Sequence, residues 1–235
     1  MALQLSLFFT VLIFVRLLLD QTWLVSGEPQ VPCYFIFGDS LVDSGNNNIL
    51  KTSAKVNYPP YGIDFPKGAT GRFTNGRTAP DIIGQFLGFD NFIPPYANVT
   101  DQEISTGVNY GSGGAGIREE SGRHVGDRYS LPSNDYVSNY FIPTIYNTSK
   151  IYIVDKFAVV LAEQYHVPTP NIACCQVKYG QCVPNSIPCH VRALSIFYDD
   201  YHPTEVVNTV IATRSYVALS DMDASPYDIS HLARL

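Results

Sequence analysis

One apolar run, residues 31–37, most restricts how this chain can fold. Apolar and polar residues do not alternate along it, and it ends abruptly in Gly38, Asp39 and Ser40. Continuous apolar runs of this length are typical of strands buried on both faces of a parallel sheet. The turn would place Ser40 at the carboxyl edge of its strand, where the ligand crevices of open α/β sheets lie. The run therefore predicts an α/β fold with chemistry at that edge.

Helices are predicted between turn-rich connections along the rest of the chain, which also favours the α/β class. Apolar residues at helical spacing predict helices over residues 79–87, 157–165 and 204–219. The last helix is expected to turn four side chains inward: Val206, Val207, Val210 and Ile211.

Three segments predict loops rather than regular structure. Residues 57–75 are dominated by Pro, Gly and Tyr, and we interpret them as an ordered surface loop. Residues 107–116 predict a short strand that runs into a glycine-rich turn, where backbone N–H groups can approach a ligand closely. Residues 174–189 contain four cysteines and predict a loop stapled by disulfides.

The first segment, residues 1–27, resembles a secretory signal peptide. Residues 3–19 are almost continuously apolar, and the small residues Ser26 and Gly27 follow just before charged Glu28. Arg16 lies inside the apolar run, so a signal anchor is the competing interpretation, although the uninterrupted stretch is shorter than the ~20 residues of a membrane span. We expect a secreted, extracellular protein in which residues 28–235 form one domain without a stable membrane span.

Two sequons and five cysteines are consistent with an extracellular location. Asn98 and Asn147 each begin a glycosylation sequon. In an oxidising environment cysteines favour disulfides. Their odd number requires one unpaired thiol or an absent partner, and metal binding is the remaining possibility, although the spacing fits no zinc pattern. The cysteines are Cys33, Cys174, Cys175, Cys182 and Cys189.

The charge distribution argues against a nucleic-acid partner. The chain contains 15 Lys and Arg residues scattered among 21 Asp and Glu residues, for a formal net charge of −6. Binding to a polyanion normally requires a clustered basic surface. A small neutral or cationic substrate is easier to accommodate.

Residues from opposite ends of the chain have the chemistry of a Ser-His-Asp triad. A serine hydroxyl is a poor nucleophile until a histidine removes its proton and a carboxylate fixes the imidazole tautomer. Asp199 and His202 are three residues apart, just before a predicted helix. In a turn, Asp199 could accept a hydrogen bond from Nδ1 of His202 while Nε2 points to Ser40.

The sequence around Ser40, FIFGDSLVDSGNNN, closely resembles the first block of the plant GDSL-type esterase/lipases, a branch of the SGNH hydrolase superfamily. The resemblance continues through YPPYGIDFPKGATGRFTNGRTAPDIIGQFLG, GVNYGSGGAGIREESG and SNDYVSNYFIP. It ends with FYDDYHPTEVVNTVIATRSY and so covers most of the chain in order.

The resemblance implies a flavodoxin-like, three-layer SGNH-hydrolase fold with a central parallel sheet. It implies that Ser40 is the nucleophile, His202 the general base and Asp199 its orienting acid. The oxyanion donors would be the Ser40 backbone N–H, Gly116 (with Gly114 as the alternative) and the Asn134 side chain. The implied substrate is a small-molecule or lipid ester, and no cofactor or metal is needed.

The chain also departs from the family pattern. Pro132 stands two residues before Asn134, where family members usually have glycine. Internal deletions are predicted near residues 131–132 and 166–170, and each would remove one strand of the sheet. The second deletion would also explain the odd number of cysteines. Unpaired strand edges and exposed apolar faces are costly.

Two interpretations from different classes therefore remain. One is a secreted serine ester hydrolase. The other is a catalytically inactive secreted glycoprotein isoform that lacks part of the sheet and an assembled oxyanion hole. A glycoside hydrolase cleft is disfavoured, because nothing in the sequence fixes a pair of carboxylates.

Overall fold

The computed structural model describes residues 27–100, 103–116, 121–126 and 172–235. The predicted signal peptide (except Gly27), the helix over 157–165 and both deletion sites lie outside these residues. Within the described ranges the helices are α1 (Ala79–Phe86), α2 (Glu205–Tyr216) and α3 (Ile229–Ala233), and the strands are β1 (Val177–Lys178) and β2 (Gln181–Cys182). Short 3-10 helices span Asn46–Ile49, Tyr96–Asn98, Glu103–Thr106, Arg123–Val125 and Arg192–Leu194.

Helix α1 confirms the prediction over 79–87 and has well-defined ends. The Thr78 hydroxyl accepts a hydrogen bond from the backbone N–H of Asp81, and the Asp81 carboxylate accepts one from the backbone N–H of Thr78. Arg72 forms a buried salt bridge with Asp81, with 2.7 Å between Nη2 and Oδ1. After the helix, Gly88 adopts a φ of +90°, the left-handed conformation that commonly ends helices.

Helix α2 is shorter than the predicted 204–219 and packs against α1. Val207 is buried and Val210 and Ile211 are half-buried, but Val206 is 38% exposed, so its predicted inward orientation is wrong. Successive helical residues are separated by about 100°. The buried side of α2 contains residues 207, 208, 212 and 215, which leaves residue 206 outside it.

The main apolar core joins α1 and α2 to the segment before Ser40. Its buried members are Tyr34, Ile36, Ala79, Ile82, Ile83, Leu87, Ile93, Ala212 and Ile229.

Three extended segments pair in parallel next to this core. Ile36 pairs with Asn109, and Pro95 pairs with the same Asn109. The backbone N–H groups of Tyr34 and Ile36 donate to the 106–108 segment at 3.0 Å. The chain before Ser40 therefore runs in parallel with its neighbour, as predicted.

Burial along residues 31–37 differs from the prediction. Tyr34 and Ile36 are buried, whereas Phe35 and Phe37 are half-buried, so burial on both faces is wrong. The paired stretch is also shorter, because Pro32 has no N–H with which to extend the ladder.

A second core lies beneath residues 57–75. This segment contains neither helix nor strand, as predicted, but it is not a surface loop, because Tyr61 and Phe73 are almost fully buried. Large aromatic side chains bury too much apolar area to remain in solvent when a neighbouring core accepts them. This second core comprises Ala54, Val56, Tyr61, Phe73, Cys174, Cys175, Cys182 and Tyr198.

Strands β1 and β2 form a small antiparallel hairpin above this core, with Val177 opposite Cys182. Two disulfides, Cys174–Cys189 and Cys175–Cys182, tie the hairpin to its surroundings. The cysteine-stapled loop predicted over 174–189 is thus confirmed, and Cys33 belongs to neither disulfide.

Candidate active site

Ser40 lies in the tight turn that follows the parallel segment ending near Gly38. Gly38 adopts a φ of +154°, and a Cβ there would lie 2.8 Å from Cγ2 of Val42, so this position favours glycine. The Asp39 carboxylate accepts a hydrogen bond from the backbone N–H of Leu41 at 3.0 Å. The turn leaves the Ser40 side chain half-buried at the carboxyl edge of the segment.

A buried polar network supports this turn from below. The Asp43 carboxylate accepts hydrogen bonds from the backbone N–H groups of Gly45, Asn46 and Gly113 at 2.8 to 2.9 Å. The Asn46 side chain donates to the carbonyls of Asn109 and Gly111 at 2.8 and 2.6 Å. The network therefore fixes the Ser40 turn to the glycine-rich segment.

Burial raises the pKa of Asp43 to about 6, although the backbone N–H groups of Gly45, Gly113 and Asn46 oppose the shift. The carboxylate is 0% exposed, so its charged form depends on those donors.

His202 and Asp199 occupy a turn immediately before α2. An antiparallel bridge between Phe197 and Pro203 closes the turn, and the backbone N–H of Tyr198 donates to the carbonyl of His202 at 2.7 Å. Asp199 and His202 are 0% and 1% exposed. Nδ1 of His202 lies 2.7 Å from Oδ2 of Asp199 and 2.9 Å from its Oδ1.

The structure brings Ser40 to this pair. Oγ of Ser40 lies 2.8 Å from Nε2 of His202, although 162 residues separate them in sequence. Asp200, beside Asp199, is exposed. The arrangement can remove a proton from the serine hydroxyl and stabilise the resulting imidazolium.

Aromatic rings enclose the imidazole. Its centroid lies 4.8 Å from that of Phe73 and 4.4 Å from that of Tyr201. These contacts restrict rotation of the ring and leave Nε2 directed at Ser40.

A cleft of about 740 Å³ opens over Ser40 and His202. A volume of this size can hold a small organic ligand. The described residues that line it are Asp39, Ser40, Ser53, Ala54, Tyr58, Phe73, Gly114, His124, Val125, Lys178, Tyr179, Gln181, Cys182, Val183, Pro184, Tyr201 and His202.

Besides the Ser40 backbone N–H, the predicted oxyanion donors were Gly116, its alternative Gly114, and Asn134, and these three are placed differently. Gly114 lines the cleft and adopts a φ of +82°. Gly116 is not among the described lining residues, and a Cβ there would meet the Ser121 side chain instead. Asn134 lies outside the described residues. Within the described chain, the geometry favours the alternative glycine, Gly114, over Gly116.

Tyr61 is a neighbour of the site that sequence reasoning missed. Its hydroxyl donates to Oδ2 of Asp199 at 2.6 Å and accepts a hydrogen bond from the backbone N–H of Cys182 at 3.0 Å. The only sequence signal was its place in the YPPYG segment, which indicated a loop. A contact across 138 residues leaves no local pattern.

The remaining predictions concern the two glycosylation sequons, metal binding and membrane spans. Asn98 is exposed at the end of a 3-10 helix, whereas Asn147 lies outside the described residues. In the described ranges, no group of three His, Cys, Asp or Glu residues could hold a metal ion. Likewise, no helix in those ranges is both long and apolar enough to cross a bilayer.

Comparison with known proteins connects this geometry to one family. The family model for the GDSL-like Lipase/Acylhydrolase matches residues 34–140. GDSL esterase/lipase At1g29660 of Arabidopsis thaliana is 34% identical over 350 aligned positions, covering 93% of this chain and 96% of the relative. GDSL esterase/lipase At4g18970 of the same plant is 34% identical, covering 89% and 94%. No solved structure matches the chain.

These relatives exceed 30% identity and are spanned over nearly their whole length. The chain therefore belongs to the GDSL esterase/lipase family, carboxylic ester hydrolases with the SGNH type of α/β fold.

Proposed function

We propose that this protein is a secreted serine ester hydrolase that forms an acyl-enzyme on Ser40, with His202 as general base and Asp199 as the orienting acid. The observation that carries the proposal is the continuous hydrogen-bonded line from Asp199 through His202 to Ser40, with 2.7 Å and 2.8 Å at its two links. The three residue types and their order in space match what acyl transfer requires.

In the first half of the reaction, Oγ of Ser40 forms a bond to the ester carbonyl carbon while its proton moves to Nε2 of His202. The tetrahedral intermediate then expels the alcohol, which takes that proton from His202. Asp199 stabilises the transient imidazolium. The acyl group remains on Ser40.

In the second half, water attacks the acyl-enzyme. His202 accepts the proton of the water and returns it to Oγ of Ser40 as the carboxylic acid leaves. No cofactor or metal takes part in this scheme.

The developing oxyanion requires donors at the cleft. We assign this role to the Ser40 backbone N–H, a glycine of the 113–116 segment and the Asn134 side chain. Gly114 is the better supported glycine because it lines the cleft together with Ser40. Loss of one such donor typically costs on the order of 10² to 10³ in rate, which is the effect expected for Asn134→Ala.

We also propose that residues 1–27 are removed as a signal peptide and that Asn98 carries a glycan. The exposure of Asn98 and the two disulfides support an extracellular location. The substrate is expected to be a small-molecule or lipid ester.

One observation keeps an inactive isoform as the second candidate. The alignment with the first relative extends over 350 positions, more than the 235 residues of this chain, so the relative contains segments that this chain lacks. Deletions near residues 131–132 and 166–170, with the loss of one or two strands of a parallel sheet, would account for this difference.

The test is hydrolysis of p-nitrophenyl acetate and butyrate by the purified protein, next to Ser40→Ala and with circular dichroism on both. Loss of the nucleophile should lower the rate by about 10³-fold or more. Ser220→Ala, which removes an exposed hydroxyl after α2, is the matched control and should retain full activity. A folded wild-type protein without activity would favour the inactive isoform, and retained activity in Ser40→Ala would contradict the proposal.

A further inference from the structure

Tyr61 lies directly behind the candidate triad and has no access to the cleft. Its side chain is 1% exposed, and it is absent from the described residues that line the cleft. The hydroxyl contacts Oδ2 of Asp199 at 2.6 Å and the backbone N–H of Cys182 at 3.0 Å. A carboxylate accepts and a backbone N–H donates, so the direction of both hydrogen bonds is fixed.

The hydroxyl completes the set of donors around Asp199. Oδ1 accepts hydrogen bonds from the backbone N–H groups of His202 and Tyr201, at 2.8 and 3.1 Å. Oδ2 accepts from Tyr61 and also faces Nδ1 of His202. Donors on both oxygens hold the carboxylate plane in one orientation relative to the imidazole.

Tyr61 remains a donor across the working pH range. Burial, followed by the negative charge of Asp199, raises the pKa of Tyr61 far above its usual value of 10. The hydroxyl therefore keeps its proton wherever His202 could act as a base.

We propose that Tyr61 is a positioning residue that orients Asp199 and draws part of its negative charge away from His202. This inference rests on the proposed function, because the role requires a working Ser40, His202 and Asp199. A carboxylate with a strong extra donor interacts less strongly with an imidazolium. Without the donor, the acid limb of the pH profile for activity should move to higher pH.

Several other titratable groups face Asp199 and His202 or the cleft above them. Around Asp199 they are Tyr58, Tyr198, Asp200 and Tyr201, and around the cleft they are Asp39, His124, Lys178 and Tyr179. A test must leave them unchanged or change only a neutral one.

Tyr198 provides the matched control. It is 0% exposed, it packs against Tyr61 with 5.6 Å between ring centroids, and its hydroxyl donates to the carbonyl of Pro60 at 2.6 Å. Burial raises the pKa of Tyr198 above its usual value, so removal of its hydroxyl removes no charge. Tyr198→Phe loses the same chemical group from the same core without losing a contact to Asp199.

The experiment measures kcat and KM for p-nitrophenyl acetate from pH 4.5 to 9 in the wild-type protein, Tyr61→Phe, Tyr198→Phe and Ser40→Ala. For Tyr61→Phe we expect kcat to fall about tenfold with KM unchanged, because a loosened base is poorly oriented. We also expect the acid limb of its pH profile to move to higher pH. For Tyr198→Phe the acid limb should coincide with that of the wild type, whatever happens to its Tm.

An unmoved acid limb in folded Tyr61→Phe, or an equal movement in Tyr198→Phe, would overturn the inference. Retained activity in Ser40→Ala would instead overturn the proposed function, so the two failures are distinguishable. If Tyr61→Phe does not fold, site-specific 3-fluorotyrosine at position 61 keeps the shape and strengthens the donor. Its acid limb should move to lower pH, and no movement would contradict the role of Tyr61.

Discussion

The turn that carries Ser40 and the turn that carries His202 are held in place by different kinds of interaction. Beneath Ser40, buried Asp43 and Asn46 bind backbone groups of the 45–46 and 109–113 segments. Beneath His202, aromatic packing and a hairpin with a disulfide at Cys182 provide the support. The Ser40 turn thus depends on buried polar side chains that bind the backbone, whereas the His202 turn is also supported by aromatic packing and a covalent link.

This difference shows how a 2.8 Å contact can be maintained between segments from opposite ends of the chain. Each turn is made rigid by its own set of contacts, and the two turns then meet where Ser40 faces His202. The Ser40 turn and the His202 turn should therefore lose their structure under different conditions.

The largest expected effect is the loss of Asn46. Its amide donates to two carbonyls, and its Oδ1 accepts a hydrogen bond from the backbone N–H of Ala97 at 3.0 Å. Asn46→Ala removes all three hydrogen bonds and leaves the Gly111 carbonyl and the Ala97 N–H without this partner, while the Asn109 carbonyl keeps the N–H of Tyr96. The loss should lower the free energy of unfolding by about 4 kcal/mol. Urea unfolding measures it.

Asn48→Ala is the control for this prediction. Asn48 is only partly buried and donates to one carbonyl, that of Thr70 at 2.8 Å. Its loss should cost about 1 kcal/mol. Equal losses for the two variants would refute the importance of the network beneath Ser40.

The second prediction concerns pH and the same network. The pKa of Asp43 is raised from 3.8 to about 6 in the folded protein. The protonated carboxyl therefore contributes fully to the free energy of unfolding below pH 4, and this contribution is lost as the pH rises through 6. Asp43→Asn stays neutral, and its free energy of unfolding should lack this decline, a difference of about 3 kcal/mol across the window. If the free energies of unfolding of the wild type and of Asp43→Asn ran parallel between pH 3.5 and 7, Asp43 would not titrate in this range.

The third and smallest prediction concerns the His202 side. Replacing Cys175 and Cys182 together with serine opens a disulfide with a sequence separation of 7, which should cost about 2 kcal/mol. Because the N–H of Cys182 binds Tyr61, the acid limb of the activity profile should also move.

The matched variant replaces Cys174 and Cys189, whose sequence separation is 15, and should cost about 3 kcal/mol. Its acid limb should stay in place, because in the described structure the Tyr61 hydroxyl is hydrogen-bonded to Asp199 and Cys182 and to neither of these two cysteines. If both double variants changed the profile alike, the hairpin would support the fold as a whole and not Asp199 in particular.

Local signals in the sequence predicted part of this architecture. The apolar spacing that follows Pro80 and Asp81 located α1, and the turn predicted before α2 brought Asp199 within reach of His202. These features depend on residues close in sequence, where helical periodicity and capping chemistry apply.

Features that depend on distant partners were not predicted. The burial of Tyr61 and Phe73 follows from packing against a cysteine-rich segment more than 100 residues away. The exposure of Val206 follows from which side of α2 meets α1. Composition and residue spacing do not predict contacts between residues so far apart in the sequence.

The most direct measurement is reaction of the folded protein with a fluorophosphonate, followed by peptide mass spectrometry. A triad built from Ser40, His202 and Asp199 predicts one phosphonylated residue, Ser40, with the loss of one fluoride per chain. Labelling should disappear in Ser40→Ala and slow by about 10³-fold or more in His202→Ala. Labelling of another residue, or a folded wild-type protein that does not react, would contradict the assignment of Ser40 as an activated nucleophile.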